Sequence, residues 1–94
     1  MSLSADTVVD QGTRTAARVV GENAVVVVID VQKLHTLNEV GTRVWELSQR
    51  RSLAQIAETI AAEYEVAPEA ALADVLEFAE TLVAQGMLEV VQDP

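Results

Sequence analysis

Residues 34–47 constrain the fold more than any other stretch of this chain; they read Leu-His-Thr-Leu-Asn-Glu-Val-Gly-Thr-Arg-Val-Trp-Glu-Leu. An extended run ends at Leu37, and Asn38 is a favourable helix N-cap because its side-chain oxygen can accept a free backbone N–H of the first turn. One face of the following helix carries apolar residues at helical spacing, namely Val40, Val44 and Leu47. The stretch therefore predicts a strand that leads directly into an amphipathic helix.

Two further helices are predicted after the first. Ser52 and Gln55 have the spacing of a capping box at the start of the second helix. Pro68 suits the first turn of the third helix, and Gly86 suits the left-handed position that ends it. The predicted buried face of the second helix consists of Leu53, Ile56, Ala57, Ile60, Ala61 and Tyr64. That of the third consists of Leu72, Val75, Leu76, Ala79, Leu82 and Val83.

The residues before these helices predict a small antiparallel meander. Residues 15–20 alternate imperfectly, and residues 21–23, Gly-Glu-Asn, are a turn signal. Residues 24–29 form a β-branched run that suits a strand buried on both faces. Residues 33–37 return as a third strand. These three strands are expected to pair in sequence order.

The ends of the chain carry weaker patterns. Residues 1–12 are expected to form a mobile or loosely paired arm, to which Val8 and Val9 could add a short strand. Residues 87–91 could form a final extended piece. The 94 residues therefore predict one α+β domain. Its expected architecture is winged helix-turn-helix-like, with a small three-stranded antiparallel sheet followed by three α-helices.

Composition excludes several classes of protein. The chain has no cysteine, which excludes disulfides and thiolate metal sites. No segment approaches the roughly 20 apolar residues that a membrane span requires. The first residues lack the basic stretch and apolar block of a signal peptide. We therefore expect a cytoplasmic protein that makes no membrane contact.

Candidate catalytic groups are sparse. His35 is the only histidine and has no partner for a triad or a metal cluster, so a packing or surface role is expected. The four glycines are scattered, which excludes a Gly-rich phosphate loop. Carboxylates of the second and third helices are interpreted as solvated faces: Glu58, Glu63, Glu65, Asp74, Glu77 and Glu80. We expect no enzyme activity, no cofactor and no metal.

Charge argues against nucleic acid as the partner. The net charge is −9, and a winged helix that reads DNA needs basic or amide side chains on its recognition helix. The third helix has Gln85 as its only amide, and its outward residues include Glu69, Asp74, Glu77 and Glu80. A DNA-binding regulator is kept as an alternative, but binding to a protein or peptide is favoured.

A three-stranded sheet has open edges, and an extended peptide can add to such an edge through main-chain hydrogen bonds. A groove between the third helix and the strand of residues 33–37 would receive it, with Phe78 as an apolar wall or, equally, as an ordinary core residue. The same edge could pair with a second copy of the chain. A dimeric scaffold is therefore the third interpretation.

Several motifs together resemble the PqqD family of peptide-recognition domains. They are Leu37-Asn38-Glu39-Val40-Gly41, Val44-Trp45-Glu46-Leu47, Ser52-Leu53-Ala54-Gln55-Ile56-Ala57, and Asp74-Val75 with Phe78, Leu82 and Gly86. The resemblance implies a non-catalytic chaperone that binds the leader of a ribosomally made precursor peptide. It also implies that the bound leader is presented to a modifying enzyme, often a radical S-adenosylmethionine enzyme. The implied peptide-binding residues are Lys33, Leu34, His35, Thr36, Leu37, Asp74, Phe78, Thr81 and Gln85.

The chain departs from the family pattern in two places. Asp30-Val31-Gln32-Lys33 replaces a Tyr-Pro-Glu-Gly-like turn, and Ser48-Gln49-Arg50 replaces a Cys-Asp-Gly. A divergent, stand-alone relative is therefore indicated, and the pathway it serves is open between pyrroloquinoline quinone and another modified peptide. Gly41 costs about 1 kcal/mol relative to alanine inside a helix, which close approach of another backbone would explain.

Overall fold

Two three-stranded antiparallel sheets and three helices make up the computed structural model, which describes residues 3–91. In chain order the elements are β1 (Val8–Gln11), β2 (Thr15–Val20), β3 (Asn23–Val28), β4 (Lys33–Leu37), α1 (Glu39–Leu47), β5 (Gln49–Ser52), α2 (Leu53–Tyr64), α3 (Pro68–Ala84) and β6 (Leu88–Val90). The α+β class and the meander followed by three helices are confirmed. The winged-helix description fits only loosely, because a second sheet is present.

The meander β2–β3–β4 has β3 at its centre. Gly21, at φ +65°, allows the tight turn between β2 and β3. In β3, Ala24, Val26 and Val28 are buried, whereas the intervening valines are only half-buried. The expectation that this strand is buried on both faces is therefore wrong. The sheet covers the helices with one face and leaves the other largely to solvent, which is typical of antiparallel sheets.

The second sheet has the order β5–β1–β6, so the strand from the predicted arm lies at its centre. Val9 is fully buried there, and this burial explains why Val8–Gln11 is a paired strand instead of part of a mobile arm. Residues 1 and 2 of that arm lie outside the described residues. The extended piece expected near residues 87–91 is present as β6.

Strand β5 was not predicted, since Gln49-Arg50-Arg51-Ser52 has no apolar alternation. Its pairing with β1 is also irregular. The register shifts between Val9 and Asp10, and Arg50 has a positive φ of 56°. The strand therefore depends on contacts with a distant part of the chain, which local sequence patterns do not report.

The predicted helix ends are confirmed. The Gly41 N–H donates to Asn38 Oδ1 at 2.8 Å, and Ser52 and Gln55 form both hydrogen bonds of the capping box, at 2.9 and 3.1 Å. Gly86 has φ +81° and follows α3. The N–H groups of Gly86 and Met87 donate to the carbonyls of Val83 and Leu82, so α3 ends in a Schellman motif.

The core lies between the meander and the helices. It takes in the predicted apolar faces: Leu53, Ile56, Ala57 and Ile60 of α2 are buried, as are Val75, Ala79 and Leu82 of α3. Trp45 and Leu47 of α1 are also buried, and Phe78 packs against the core while half-buried. Among residues 3–91, no helix is both long and apolar enough to cross a bilayer.

Candidate peptide-binding groove

Strand β4 is an edge strand, and its register determines which backbone groups face outward. The Ile29 N–H donates to the Arg14 carbonyl at 2.9 Å, which makes these two residues a hydrogen-bonded pair next to Thr15 and Val28. Hydrogen-bonded pairs alternate along an antiparallel ladder. Residues 25 and 27 therefore bond to β2, whereas residues 24, 26 and 28 bond to β4.

The partners of those three residues on β4 are Leu37, His35 and Lys33, whose N–H and C=O groups point into the sheet. Leu34 and Thr36 consequently direct their N–H and C=O groups away from β3. Within residues 3–91, no strand pairs with β4 on that side. The edge therefore offers two evenly spaced backbone sites to an incoming strand.

Side chains of β4 alternate between the two faces of the sheet. Lys33, His35 and Leu37 share the face of the buried β3 residues, whereas Leu34 and Thr36 are exposed on the opposite face. Leu34 is 63% exposed and Leu37 only 4%. The sequence predicts all five residues of β4 as peptide contacts of one kind. The structure divides them: Leu34 and Thr36 present backbone to the edge, and Leu37 contributes its side chain to the core.

Helix α3 passes β4 in the opposite chain direction, and it lines two clefts, one just past the Leu37 end of β4 and one beside Lys33. At the Leu37 end, a cleft of about 380 Å³ is lined by Asn38, Val40, Asp74, Glu77, Phe78 and Thr81. We call it the Asp74 cleft. Its floor is apolar, and two carboxylates stand one helical turn apart at its rim. The predicted residues Asp74, Phe78 and Thr81 are thus brought together.

At the other end of β4, a cleft of about 300 Å³ is lined by Val31, Lys33, His35, Ala84 and Gln85. We call it the Lys33 cleft. It brings together three more of the predicted residues, from β4 and from the residue that ends α3. One cleft lies just past the Leu37 end of β4 and the other lies beside Lys33, and together they form what we call the β4–α3 groove.

A third cleft opens behind the first, between the helices. It measures about 340 Å³ and is lined almost entirely by apolar side chains: Val40, Val44, Ile60, Tyr64, Val66, Ala71, Asp74, Val75 and Phe78. We call it the Tyr64 cleft. Burial raises the pKa of the Tyr64 phenol above its ordinary value of 10.0, so this side chain is neutral at pH 7.

Phe78 lines both the Asp74 and the Tyr64 clefts, as do Val40 and Asp74. The ring lies against Gly41 of α1, so closely that a β-carbon at Gly41 would overlap the ring edge and come within 2.9 Å of Cε1. Close approach does explain this helical glycine. The approaching group is a side chain, however, and the expectation of another backbone is wrong.

Charges at the groove are unpaired within the described part of the chain. Its ion pairs involve Arg14, Arg43 and Arg50, and none includes Asp74, Glu77 or Lys33. Arg43 of α1 instead binds Glu63 of α2 through two hydrogen bonds of 2.8 and 2.7 Å. This hydrogen bonding lowers the pKa of Glu63 and raises that of Arg43.

The remaining carboxylates of α2 and α3 lie in solvent, as the solvated-face interpretation predicts. Across residues 3–91, no group of three or more His, Asp or Glu side chains is arranged to hold a metal ion. The groove therefore presents hydrogen-bonding backbone, apolar surface and separated charges. These are the properties of a binding surface for an extended chain.

Comparison with known families agrees with this arrangement. The family model of coenzyme PQQ synthesis protein D (PqqD) matches residues 24–88, which include β3 from its second residue, β4 and all three helices. The chain belongs to the PqqD family. No curated protein matches it in sequence.

Three solved structures share the fold of this PqqD-family chain. TbiB1 in complex with the TbiA(β) leader peptide has a TM-score of 0.81 at 22% identity, over 89% of this chain and 99% of that one. A lasso peptide synthetase B1 complexed with its leader peptide has a TM-score of 0.76 at 18% identity, over 86% and 96%. The PqqD part of Methylobacterium extorquens PqqCD, a stand-alone recognition element for ribosomally made peptides, has a TM-score of 0.78 at 21% identity, over 94% and 95%.

Three residues of the Asp74 cleft are not among the predicted contacts, and neither are Val31 and Ala84 of the Lys33 cleft. Asn38 was interpreted only as a helix cap and Val40 only as a core residue, yet both line the Asp74 cleft. Glu77 was assigned to a solvated face. Its position three residues after Asp74 places both carboxylates on one face of α3, and this spacing could have identified it.

Proposed function

We propose that this PqqD-family chain is a non-catalytic peptide chaperone. It binds the leader segment of a ribosomally made precursor peptide as an extra strand on β4 and presents it to a modifying enzyme. The observation that carries the proposal is the open β4 edge, where Leu34 and Thr36 direct their backbone groups outward beside α3. Such an edge gives affinity through main-chain hydrogen bonds, and flanking clefts give specificity.

The comparisons support the same proposal. Two proteins of this fold are described in complex with leader peptides, and a third is described as a functional stand-alone recognition element. We infer that the bound leader is presented to a modifying enzyme, and a radical S-adenosylmethionine enzyme is the candidate from the family. The pathway is that of pyrroloquinoline quinone or of another modified peptide.

The proposed contacts divide by chemistry. Leu34 and Thr36 supply backbone hydrogen bonds, and Leu37 holds the end of the strand in the core. Lys33, His35 and Gln85 contact the bound leader strand, which we call the guest, from the Lys33 cleft. Asp74, Phe78 and Thr81 contact it from the other. Each guest side chain that faces α3 then meets one part of the β4–α3 groove.

Comparison with the opposite edge of the same sheet, strand β2, explains why we expect the leader to bind at β4. Strand β2 is also an edge strand, but it is exposed along nearly its whole length. A guest on β2 would bury little beyond its main chain. A guest on β4 would also fill the clefts against α3, and burial of apolar surface stabilises a complex by roughly 25 cal/mol per Å².

Amide chemical shifts of the ¹⁵N-labelled full-length chain test this proposal. The probes are synthetic leader peptides from short reading frames beside the gene, with the TbiA(β) leader as a reference. We expect saturable shifts confined to β4, α3 and Asn38, with β2 unaffected. Binding of a cognate leader that shifts β2 or β5 while β4 stays unchanged would contradict strand addition at this edge.

A further inference from the structure

The two ends of the β4–α3 groove carry opposite charge. Asp74 and Glu77 stand at the Leu37 end, and Lys33 stands at the other. All three side chains are exposed, and none takes part in an ion pair within residues 3–91. The net charge of −9 favours a uniformly basic guest, whereas the local distribution favours a guest with one charge of each sign.

The direction of a guest strand follows from the sheet. Every pairing of the meander is antiparallel, and an antiparallel guest would continue it with the slightly more stable ladder. Its residue opposite Leu37 then precedes its residue opposite Lys33 by four positions. The N-terminal part of the guest lies at the Asp74 cleft, and the C-terminal part lies at the Lys33 cleft.

The register also decides which guest side chains face α3. Leu34 and Thr36 form the hydrogen-bonded pairs with the guest, so the residues opposite Lys33, His35 and Leu37 form the non-hydrogen-bonded pairs. The side chains of such pairs lie closest together and on the same face of the sheet. Guest residues opposite Leu37 and Lys33 therefore both project toward the helix.

On the basis of the proposed function, we propose that the groove reads charge order: it selects a guest strand in which Lys or Arg precedes Asp or Glu by four residues. Four residues of strand span about 13 Å. The helix from Asp74 to Gln85 spans about 16 Å, so both ends can be reached at once.

Each cleft fits the side chain assigned to it. In the Asp74 cleft, the aliphatic stem of a Lys or Arg packs on Val40 and Phe78 while its charged end meets the two carboxylates. In the Lys33 cleft, a guest carboxylate meets the Lys33 ammonium and accepts a hydrogen bond from the Gln85 amide. Reversed order places like charges at both ends.

Selection from a displayed library of random peptides tests charge order without a known leader. The full chain is compared with a charge-reversed variant, Lys33→Glu with Asp74→Lys and Glu77→Lys. A matched control, Arg18→Glu with Glu22→Lys and Glu58→Lys, changes the net charge equally at exposed residues away from the groove. Circular dichroism establishes that all three proteins are folded.

We expect the wild type and the control to enrich peptides with the basic residue first, and the charge-reversed variant to enrich the opposite order. The affinity of an enriched peptide should exceed that of its charge-reversed version about tenfold at low salt, and the difference should shrink at high salt. Enrichment without charge order, or with the same order for all three proteins, overturns this inference alone. Failure to enrich any peptide that shifts the β4 amides overturns the proposed function as well.

Discussion

The ring of Phe78 occupies the space that a β-carbon on Gly41 would need. The three ring atoms nearest to that position are Cζ, Cε1 and Cε2. The glycine thus makes room for the Phe78 ring beside α1, and Phe78 lines two of the three clefts. A glycine inside a helix usually lowers stability. Gly41 does so as well, but it leaves the space in which the Phe78 ring lies.

Gly41→Ala should therefore destabilise the fold although alanine is the better helix former. Overpacking costs about 1–3 kcal/mol, and the helix propensity recovers about 1 kcal/mol, so we expect a net loss of about 1 kcal/mol in the free energy of unfolding. Urea denaturation measures it. In a Phe78→Leu background, which lacks all three clashing atoms, the same substitution should be neutral or stabilising. An equal cost in both backgrounds would contradict the proposed overlap.

Leu34→Pro should weaken leader binding without unfolding the sheet. The Leu34 N–H points away from β3, so proline removes a donor available to the guest and no donor of the existing ladder. Loss of one backbone hydrogen bond, together with the steric effect of the ring, predicts about a tenfold rise in Kd. Fluorescence anisotropy with a labelled leader measures the change.

Ala17→Pro is the matched control for that substitution. Ala17 pairs with Val26, and the alternation of the ladder directs its N–H outward from the opposite edge of the same sheet. We expect unchanged leader affinity and a similar melting temperature for the two proline variants. Equal weakening by both substitutions would indicate a general effect on the sheet, and binding at β4 would lose its support.

Val9→Ala should show that the N-terminal strand is part of the core. Val9 is fully buried at the centre of the β5–β1–β6 sheet, so removal of two methyl groups should cost about 2 kcal/mol in the free energy of unfolding. Val8→Ala, in the same strand but at a half-buried residue, should cost less. Equal, small effects at both residues would favour the mobile arm that the sequence indicated.

Glu63→Gln should lower stability near neutral pH and have no effect in acid. The folded-state pKa of Glu63 lies below its ordinary value of 4.5, because the carboxylate accepts hydrogen bonds from Arg43. The stability that the Glu63 carboxylate contributes is therefore present above its unfolded-state pKa. It is lost as the pH falls through the lower, folded-state pKa. The side chains of Arg43 and Glu63 are both more than one-third exposed. Screening by solvent therefore limits the loss in the free energy of unfolding to about 0.5 kcal/mol.

Thermal unfolding between neutral pH and about pH 3 measures this dependence. Glu58→Gln is the control, because Glu58 lies on the same helix, is exposed, and has no ion pair within residues 3–91. The two variants should differ at neutral pH and converge in acid. A constant difference across the range would mean that packing, rather than the carboxylate charge, accounts for the effect of Glu63→Gln.

Features fixed by neighbouring residues could be predicted from the sequence. The cap at Asn38, the capping box of Ser52 and Gln55, and the left-handed Gly86 each depend on residues at most five positions apart. The buried faces of α2 and α3 follow from helical periodicity in the same way. These signals predicted the helices and the meander, and with them the strand and the helix that form the groove.

Features that depend on register or distant pairing could not be predicted. Strand β5 has polar residues and an irregular ladder, so it can be recognised as a strand only from its pairing with β1. The division of β4 between Leu34, which faces outward with its backbone, and Leu37, which is buried, requires the pairing with β3. Contact between Gly41 and Phe78 joins residues 37 positions apart, and no local pattern reports that.

One sheet with two open sides also creates a hazard. If β2 of one copy were to pair with β4 of the next, the contact would not close on itself, and copies could add without limit into a filament. Arg18 lies on β2 and Lys33 on β4, so each open edge carries a cation, and charged side chains on edge strands discourage such pairing. We expect these two cations to oppose stacking of the protein alone, and a strand added to β4 would cover one of the two edges that stacking requires.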